Sequence, residues 1–228
     1  MSSWLAEPRA AFDVETTGRD PRTARLVTAS VVLVDAHDAV LEQHEWLADP
    51  GVDIPAEAAE VHGISTDRAR SEGRPASEVL SELSGVLHSY FERGIPVVAF
   101  NARYDFTVLN NESRRHGIAE ILAQPVIDPF ILDKQVDRFR KGKRTLVASC
   151  EHYQIPLLAA HTSAADALAT IQLAAAIARK YPELQLPAEQ LHREQIQWAS
   201  EQAESFQDYL RKQGNPDAVI DGTWPVAQ

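Results

Sequence analysis

The stretch Phe12-Asp13-Val14-Glu15-Thr16-Thr17-Gly18 decides the fold of this chain. It continues an apolar run from Arg9 and ends in turn-forming residues, so it reads as a strand that runs into a turn. Asp13 and Glu15 are two residues apart and project from the same side of that strand. Neighbouring carboxylates in an apolar strand repel each other and lose hydration, and divalent cations compensate them. We therefore predict a metal site here, with a solvated strand end as the alternative.

Outward from this strand, hydrophobic periodicity predicts an α/β sandwich in which strands come early and helices late. A break at residues 35–38 indicates an antiparallel hairpin. The strands after the first are predicted at residues 26–34, 40–47, 95–100 and 125–128. Helices are predicted at residues 75–93, 103–116, 145–153, 163–181 and 188–212, with another directly after the last strand and an irregular tail at 214–228. The helix at 163–181 is rich in alanine, which would let its backbone approach a sheet closely.

Composition limits the kinds of protein this can be. The 228 residues carry a formal net charge of −11, which argues against a protein that coats long duplexes through many basic contacts. An acidic nucleic-acid enzyme remains possible, because carboxylates that bind metal become locally neutral or positive. Cys150 is the only cysteine, so an intramolecular disulfide is excluded and any metal should sit on oxygen ligands. The absence of a secretory signal or membrane-length run predicts a soluble, cytoplasmic protein without membrane contact.

Two further sites carry titratable residues in a suggestive position. Asp105 lies in the run Phe100-Asn101-Ala102-Arg103-Tyr104-Asp105-Phe106, at the start of a predicted helix. Alone it would be an ordinary first-turn acid that complements the helix dipole. His161 precedes Asp166 by five residues at the entrance of the alanine-rich helix, but His44 with Asp49 and His62 with Asp67 have the same spacing. These positions therefore gain meaning only as a set.

The set resembles the DEDD-type exonucleases whose fifth residue is histidine, a group that includes the proofreading subunit of bacterial DNA polymerase III, ribonuclease T and oligoribonuclease. The resemblance covers residues 12–181 in the expected order, and the run from Phe12 to Gly18 is highly specific to the group. Further similarity lies in Val61-His62-Gly63-Ile64, Ile127-Asp128-Pro129 and the segment 160–167. Tyr104 departs from the phenylalanine of many relatives, a change of little consequence for the chemistry.

The resemblance implies a ribonuclease H-like α/β fold, with a mixed five-stranded sheet flanked by helices, and residues 1–181 would form a 3'→5' exonuclease domain. Beyond residue 181 the resemblance stops, and the sequence pattern itself predicts a C-terminal helical extension and irregular tail at residues 182–228. The extension could cover the core, join two subunits of a homodimer or bind a partner such as a DNA polymerase. We expect the packing role.

The resemblance also implies a two-metal mechanism. Asp13, Glu15, Asp105 and Asp166 would hold two divalent ions, Mg²⁺ or Mn²⁺, about 3.5 to 4 Å apart. His161 would act as general base, because an imidazole accepts a proton near neutral pH. The substrate would be the 3' end of nucleic acid, first of all single-stranded DNA in replication or repair, and the product a nucleoside 5'-monophosphate.

Other residues are predicted to contact the substrate. By the same resemblance, backbone amides around Glu15, Thr16 and Thr17 would meet the terminal sugar, and Gly18 would permit that close approach. Candidates for contact with the last nucleotides are Asn101, His62, Tyr104 and Phe106, although core packing is an equal alternative for Phe106. The densest positive run lies between Lys134 and Arg144 and is predicted to guide phosphates through Arg140, Lys141, Lys143 and Arg144, with a solvated face as the alternative.

Three other functions compete with this interpretation. An exoribonuclease or oligoribonuclease would keep the same chemistry and act on RNA ends, and residue types alone do not identify a contact to the 2' hydroxyl. A catalytically silent nucleic-acid-binding module would have no structural reason to retain all five reactive groups. A phosphatase with an aspartyl nucleophile would carry Asp-x-Asp-x-Thr, whereas Glu15 stands at the second acidic position here.

Overall fold

A mixed sheet of six strands organises the part of the chain that the structure describes. The structure is a computed structural model that describes residues 2–157 and 163–227. The strands are β1 (Arg9–Thr16), β2 (Leu26–Val34), β3 (Val40–Asp49), β4 (Arg74–Pro75), β5 (Val97–Val98) and β6 (Val126–Ile127), and they lie in the order β4-β3-β2-β1-β5-β6. β1, β2 and β3 are antiparallel neighbours, whereas β5 runs parallel to β1 and β6 parallel to β5. The strand with the carboxylate pair is thus an inner strand of the sheet.

The sequence predicted five strands, and this number is wrong by one. The additional strand is β4, where Arg74 and Pro75 pair in parallel with Ala48 and Asp49. Pro75 had been predicted to open the following helix, which instead begins at Ala76. Because β4 has only two residues, it leaves no alternation in the sequence from which it could be predicted.

Eight α-helices belong to the described residues. They are α1 (Ala56–His62), α2 (Thr66–Glu72), α3 (Ala76–Glu92), α4 (Ala102–Arg115), α5 (Pro129–Val136), α6 (Leu146–His152), α7 (Ser163–Lys180) and α8 (Ala188–Lys212), with short 3-10 turns at Trp4–Ala6 and Pro182–Leu184. The helices predicted from periodicity are confirmed to within about two residues, whereas α1 and α2 were not predicted. None of these described helices is both long and apolar enough to cross a membrane.

The two faces of β1 belong to different halves of the core. Phe12 and Val14 pack on one side with residues of α3 and α4, whereas Ala11 packs on the other side with residues of α7. Asp13 and Glu15 share the side of Ala11, because side chains alternate along a strand. They therefore point towards α7, which crosses β1 and β2.

The alanine-rich sequence of α7 explains how it approaches the sheet. Ala167, Ala174 and Ala178 are fully buried in the core half that α7 shares with β1 and β2. Methyl side chains let the helix backbone lie close to the strands, as the composition predicted. The first turn of α7, which contains Asp166, is thereby brought to the carboxylates of β1.

The C-terminal segment covers the edge of the sheet at β6. On α8, the His192 ring accepts a hydrogen bond from the Val126 N–H at 3.1 Å, and Gln195 accepts one from the Asp128 N–H at 2.7 Å. Gln195 also donates to the Val126 carbonyl at 3.0 Å. These side chains satisfy backbone groups of the last strand, so α8 packs as part of the core.

Candidate metal and nucleic-acid site

Three carboxylates that are distant in sequence meet at the end of β1. Oxygens of Asp13, Glu15 and Asp166 all lie within 4.8 Å of one another. The alternation of β1 places Asp13 and Glu15 side by side, and the first turn of α7 brings Asp166 to them. Three of the four acidic residues singled out in the sequence therefore form one cluster.

Asp105 lies beside this cluster and comes from another element, α4. It lies in the first turn of α4 and is buried, and its Oδ1 accepts a hydrogen bond from the Val14 N–H at 3.2 Å. Val14 stands between Asp13 and Glu15 in β1, so this bond fixes the Asp105 carboxylate beside the strand. Its negative charge also raises the pKa of Asp13.

The carboxylates of the site repel one another, so a bound cation would stabilise their charged forms. The pKa of Asp13 is raised well above its usual value, first by burial and then by the charges of Asp105, Glu15 and Asp166. The pKa of Glu15 is raised to about 7 by burial and by Asp166. Burial likewise raises the pKa of Asp105. A divalent cation on these oxygens would remove both the repulsion and the cost of burial, and carboxylate oxygens are the ligands that Mg²⁺ and Mn²⁺ prefer.

Two cavities open beside the carboxylates and share Glu15 and His62 in their walls. The larger one has a volume of about 740 Å³ and is lined also by Thr16, Gly18 and Tyr104. The smaller one has a volume of about 370 Å³ and includes Trp46 and Ser163. Together they provide room for a ligand of nucleotide size next to the acidic cluster.

His62 ends α1 and stands at the junction of the two cavities. Its Nδ1 accepts a hydrogen bond from the Ile64 N–H at 3.2 Å, so the neutral ring carries its proton on Nε2. Burial lowers the pKa of His62, and the backbone of Thr16 partly opposes this effect. The Nε2 atom is itself buried, so the neutral ring packs close to the strand that carries the carboxylates.

Tyr104 and Thr16 fix the turn after β1. The Tyr104 hydroxyl donates a hydrogen bond to the Gly18 carbonyl and also contacts the Thr16 hydroxyl. The Thr16 hydroxyl in turn donates to the Gly18 carbonyl at 2.8 Å. A phenylalanine at position 104 would lack these bonds, so the tyrosine contributes to the shape of the larger cavity.

The structure contradicts one of two predicted substrate contacts. The Thr17 N–H donates to the Arg25 carbonyl at 3.0 Å, but Thr17 lines the larger cavity and its contact with a terminal sugar stays a prediction. Phe106 is fully buried, and its ring packs on Phe12 and Phe91 at centroid distances of 5.2 and 6.2 Å. Phe106 belongs to the core, because its side of α4 faces the sheet.

The basic run separates into two kinds of residue. Arg140 and Arg144 form ion pairs with the buried carboxylate of Asp133, so the prediction that they guide phosphates is contradicted. These ion pairs fold the loop onto α5. Lys141 and Lys143 are exposed and remain candidates for that role.

Asp128 is an important residue to which the sequence reasoning gave no role. It is buried at the end of β6, and its carboxylate accepts hydrogen bonds from the N–H groups of Asn101, Ala102 and Phe130, each at 2.9 Å. It thereby caps the starts of α4 and α5. The signal was present, since aspartate directly before proline at a helix start is typical of an N-cap. Asn101, predicted to bind substrate, is exposed beside this cap.

One predicted site residue cannot be placed. His161, the predicted general base, lies outside the described residues, as do the other residues from 158 to 162. Its role remains a prediction from sequence.

The comparisons with known proteins agree with this geometry. The family model RNase T, described as exonuclease, matches residues 10–174. The chain is 30% identical over 164 residues to a DNA polymerase III PolC-type protein of Streptococcus agalactiae, which is 71% of this chain and 10% of that protein. It is 32% identical over 165 residues to a DNA polymerase III subunit epsilon-like protein of Rhodobacter capsulatus, which is 71% of this chain and 22% of that protein. The chain thus spans only a small part of these relatives.

Solved structures show the same fold at lower sequence identity. A structure of exonuclease I has a TM-score of 0.68 at 18% identity, over 78% of this chain and 42% of that chain. Escherichia coli exonuclease I in complex with a dA16 oligonucleotide has a TM-score of 0.67, also at 18% identity and with the same coverage. The fold is therefore that of the ribonuclease H-like exonucleases. The chain belongs to the DEDD-type 3'→5' exonuclease family.

Proposed function

We propose that this protein is a metal-dependent 3'→5' exonuclease that hydrolyses phosphodiester bonds from the 3' end of single-stranded DNA and releases nucleoside 5'-monophosphates. The observation that carries the proposal is the convergence of Asp13, Glu15 and Asp166 within 4.8 Å, next to two open cavities. A merely structural cluster would have basic partners to neutralise it, whereas the described charges that act on Asp13 are all acidic.

The donor set fits a pair of divalent cations. Asp13, Glu15 and Asp166 would hold them together with Asp105, whose carboxylate is fixed beside β1 by the Val14 N–H. When bound, such ions make water a stronger nucleophile and neutralise charge on the scissile phosphate and the departing 3' oxygen. Mg²⁺ and Mn²⁺ are the proposed ions, since all the ligand atoms are carboxylate oxygens.

The chain's own residues supply orientation and proton transfer. His161 is the proposed general base and accepts the proton of the attacking water. The His62 ring, at the junction of the two cavities, would pack against the terminal nucleotide, and Tyr104 holds the turn at Gly18 against which the sugar would lie. Attack in line with the leaving oxygen is favoured when the scissile phosphate is held in one orientation.

We infer the preference for DNA and the cellular setting from the names of the relatives. Those with 30% identity or more are named DNA polymerase III proteins, and related folds were solved with dA16 and dT13 oligonucleotides. These names support action in replication or repair together with a DNA polymerase. A comparison of matched DNA and RNA oligomers tests this preference directly.

The test is a degradation assay with single strands labelled at the 5' end. In Mg²⁺ or Mn²⁺ the parent protein is expected to give a descending ladder, and Asp13→Ala and His161→Ala to give almost none. Asp67→Ala is the matched control, because Asp67 is an exposed carboxylate that follows His62 at the same spacing at which Asp166 follows His161. An Asp13→Ala ladder equal to that of the parent would falsify the assignment of the site.

A further inference from the structure

A groove between α5 and α8 lies outside the carboxylate site and has no part in the mechanism above. Its volume is about 380 Å³. One wall consists of Lys134 on α5 with Arg138 and Phe139 in the loop that follows, and the other consists of Phe206 and Tyr209 on α8. The side chain of Gln202 donates to the Ile131 carbonyl at 3.1 Å and holds the two helices together at its base.

Aromatic rings in this groove are unusually exposed. Phe139 is 90% exposed, Phe206 48% and Tyr209 55%. The rings of Phe206 and Tyr209 stand one helical turn apart, with centroids 6.4 Å from each other and planes inclined by only 15°. Adjacent exposed rings of this kind mark an interaction site, and parallel faces suit the stacking of successive bases.

The charge of the groove is opposite to that of the chain. The net charge of the chain is −11, yet the described lining of the groove contains three basic residues, Lys134, Arg138 and Arg144, against the single acid Glu201. Arg144 is occupied by Asp133, which leaves Lys134 and Arg138 for a ligand. Positive side chains interleaved with aromatic rings match the alternating phosphates and bases of a single strand.

The groove adjoins a smaller cavity that reaches the start of α4. A smaller cavity of about 150 Å³ shares Lys134, Gln202 and Phe206 with the groove and reaches Asn101 and Arg103. Asn101 and Arg103 lie at the start of α4, close in sequence to Asp105. The Asp105 carboxylate in turn lies beside β1, the strand of the acidic cluster. The groove thus lies on the side of the start of α4, the helix that carries Asp105.

We propose that this groove binds the single-stranded nucleic acid several nucleotides upstream of the cleaved 3' end. Lys134 and Arg138 contact phosphates, and Phe139, Phe206 and Tyr209 stack on bases. The direction in which the strand lies rests on the proposed function, whereas binding in the groove needs no hydrolysis. Such binding makes the enzyme prefer long single strands over very short ones.

Binding is measured by fluorescence anisotropy with a labelled single-stranded DNA of about twenty nucleotides in EDTA, where hydrolysis is stopped. The double variant Phe206→Ala/Tyr209→Ala is expected to weaken binding about tenfold through the loss of stacking. Lys134→Gln/Arg138→Gln is expected to reduce the slope of log Kd against log salt by about 1.4, because two phosphate contacts are lost. Ile196→Ala and Arg193→Gln are the controls, since both residues are exposed on α8 at least roughly 15 Å before Phe206.

Kinetics separate this proposal from the proposed function. In the Phe206→Ala/Tyr209→Ala variant, KM for the long strand is expected to rise about tenfold, whereas a trinucleotide, too short to span both sites, is the internal reference. If the parent protein degrades neither substrate, the proposed function is wrong, but the anisotropy measurement still tests binding in the groove. Equal Kd values for the parent and the variant overturn the groove proposal and point to a protein partner for these rings.

Discussion

Asp13 illustrates why the site is unstable without a ligand. Its carboxylate is buried among three other acids, so ionisation is opposed by lost hydration and by repulsion at once. Glu15 meets the same opposition in weaker form and titrates near neutrality, with a pKa of about 7. Free energy stored in this way is released when a cation binds, which couples metal affinity to pH and to folding stability.

We predict that the metal-free protein loses stability as the pH rises from about 5 to 8. The folded state holds the Glu15 proton up to a pKa of about 7, whereas the unfolded chain releases it near its ordinary value of 4.5, so the unfolded state binds fewer protons in this window. Asp13 and Asp105 act in the same direction because their pKa values are also raised. Thermal unfolding in EDTA at several pH values measures this.

Addition of Mg²⁺ to the same samples should raise Tm more at pH 8 than at pH 5, because the cation must displace protons at the lower pH. Glu15→Gln is the matched control and should flatten part of the pH dependence, since it removes one titrating group from the cluster. A Tm in EDTA that is constant or rises across this range would contradict the electrostatic account.

A second prediction at the residue scale concerns the cap at Asp128. Asp128→Ala leaves three N–H groups at the starts of α4 and α5 without their acceptor. Each unsatisfied buried group costs about 1 to 3 kcal/mol, so we expect the free energy of unfolding to fall by about 3 kcal/mol or more in urea titrations. Asp67→Ala, at an exposed position, should change it by less than about 0.5 kcal/mol. Similar losses in the two variants would show that Asp128 is not a structural cap.

At the scale of elements, the loop between α5 and α6 divides into an anchor and a free segment. Arg140 and Arg144 donate to Asp133, whose carboxylate also accepts a hydrogen bond from the Tyr153 hydroxyl at 2.8 Å. This buried network ties α5, the loop and α6 together. Lys141 and Lys143 stand between the two arginines and face solvent.

The third prediction follows from this division. Arg140→Ala/Arg144→Ala should lower the free energy of unfolding by about 3 to 5 kcal/mol, because the buried Asp133 charge is left with no basic partner and only the Tyr153 hydroxyl as a donor. Lys141→Ala/Lys143→Ala removes the same formal charge and should leave stability nearly unchanged, while raising KM for single strands at low salt. Urea titrations and initial rates are compared for both double variants. Equal stability of the two would mean that the arginines are not an anchor.

Sequence patterns predicted the long elements well and the short ones poorly. β2 and α8 have the predicted bounds, since nine and twenty-five residues display their periodicity clearly. α1 and α2 have seven residues each, less than two full turns of apolar spacing, and both were missed. Pro55 before α1 and Gly63 after it, with a φ of 74°, were the available signals. α1 forms a wall of the larger cavity and Arg68 of α2 lines the smaller one, so the cavities were not predicted either.

Prediction of the site residues from the sequence was also incomplete, for a different physical reason. Asp13 and Glu15 were predictable because the period of a strand puts them on one side. The fates of Arg140 and Phe106 depend on what lies opposite them in space, namely Asp133 and the rings of Phe12 and Phe91. Neither a run of charges nor a position on a helix indicates in the sequence which residue lies opposite. Contacts between distant segments therefore decided which of the candidates stayed free to meet a ligand.

At the scale of the whole molecule, the C-terminal tail closes around the start of α4. Trp224 is largely buried, its ring packs on His192 with a centroid distance of 5.1 Å, and its Nε1 approaches Asp128 at 3.4 Å. Asp221 forms an ion pair with Arg103, and the Ala227 N–H donates to the Thr107 hydroxyl at 2.8 Å. Arg103 and Thr107 flank Asp105 on α4, so the tail holds the helix turn that presents this carboxylate.

We therefore predict that removal of residues 217–228 impairs catalysis more than substrate binding. Loss of the contacts at Arg103, Thr107 and Asp128 frees the first turn of α4, and displacement of a catalytic group by about 1 Å can cost up to a hundredfold in rate. We expect kcat to fall at least about tenfold with a smaller change in KM, and Trp224→Ala to reproduce part of the fall. Val219→Ala is the matched control, since Val219 lies in the same tail but is 78% exposed. A truncated protein that keeps its kcat while its Tm drops would show that the tail only adds stability, because a positioning role requires Asp105 to shift relative to Asp13.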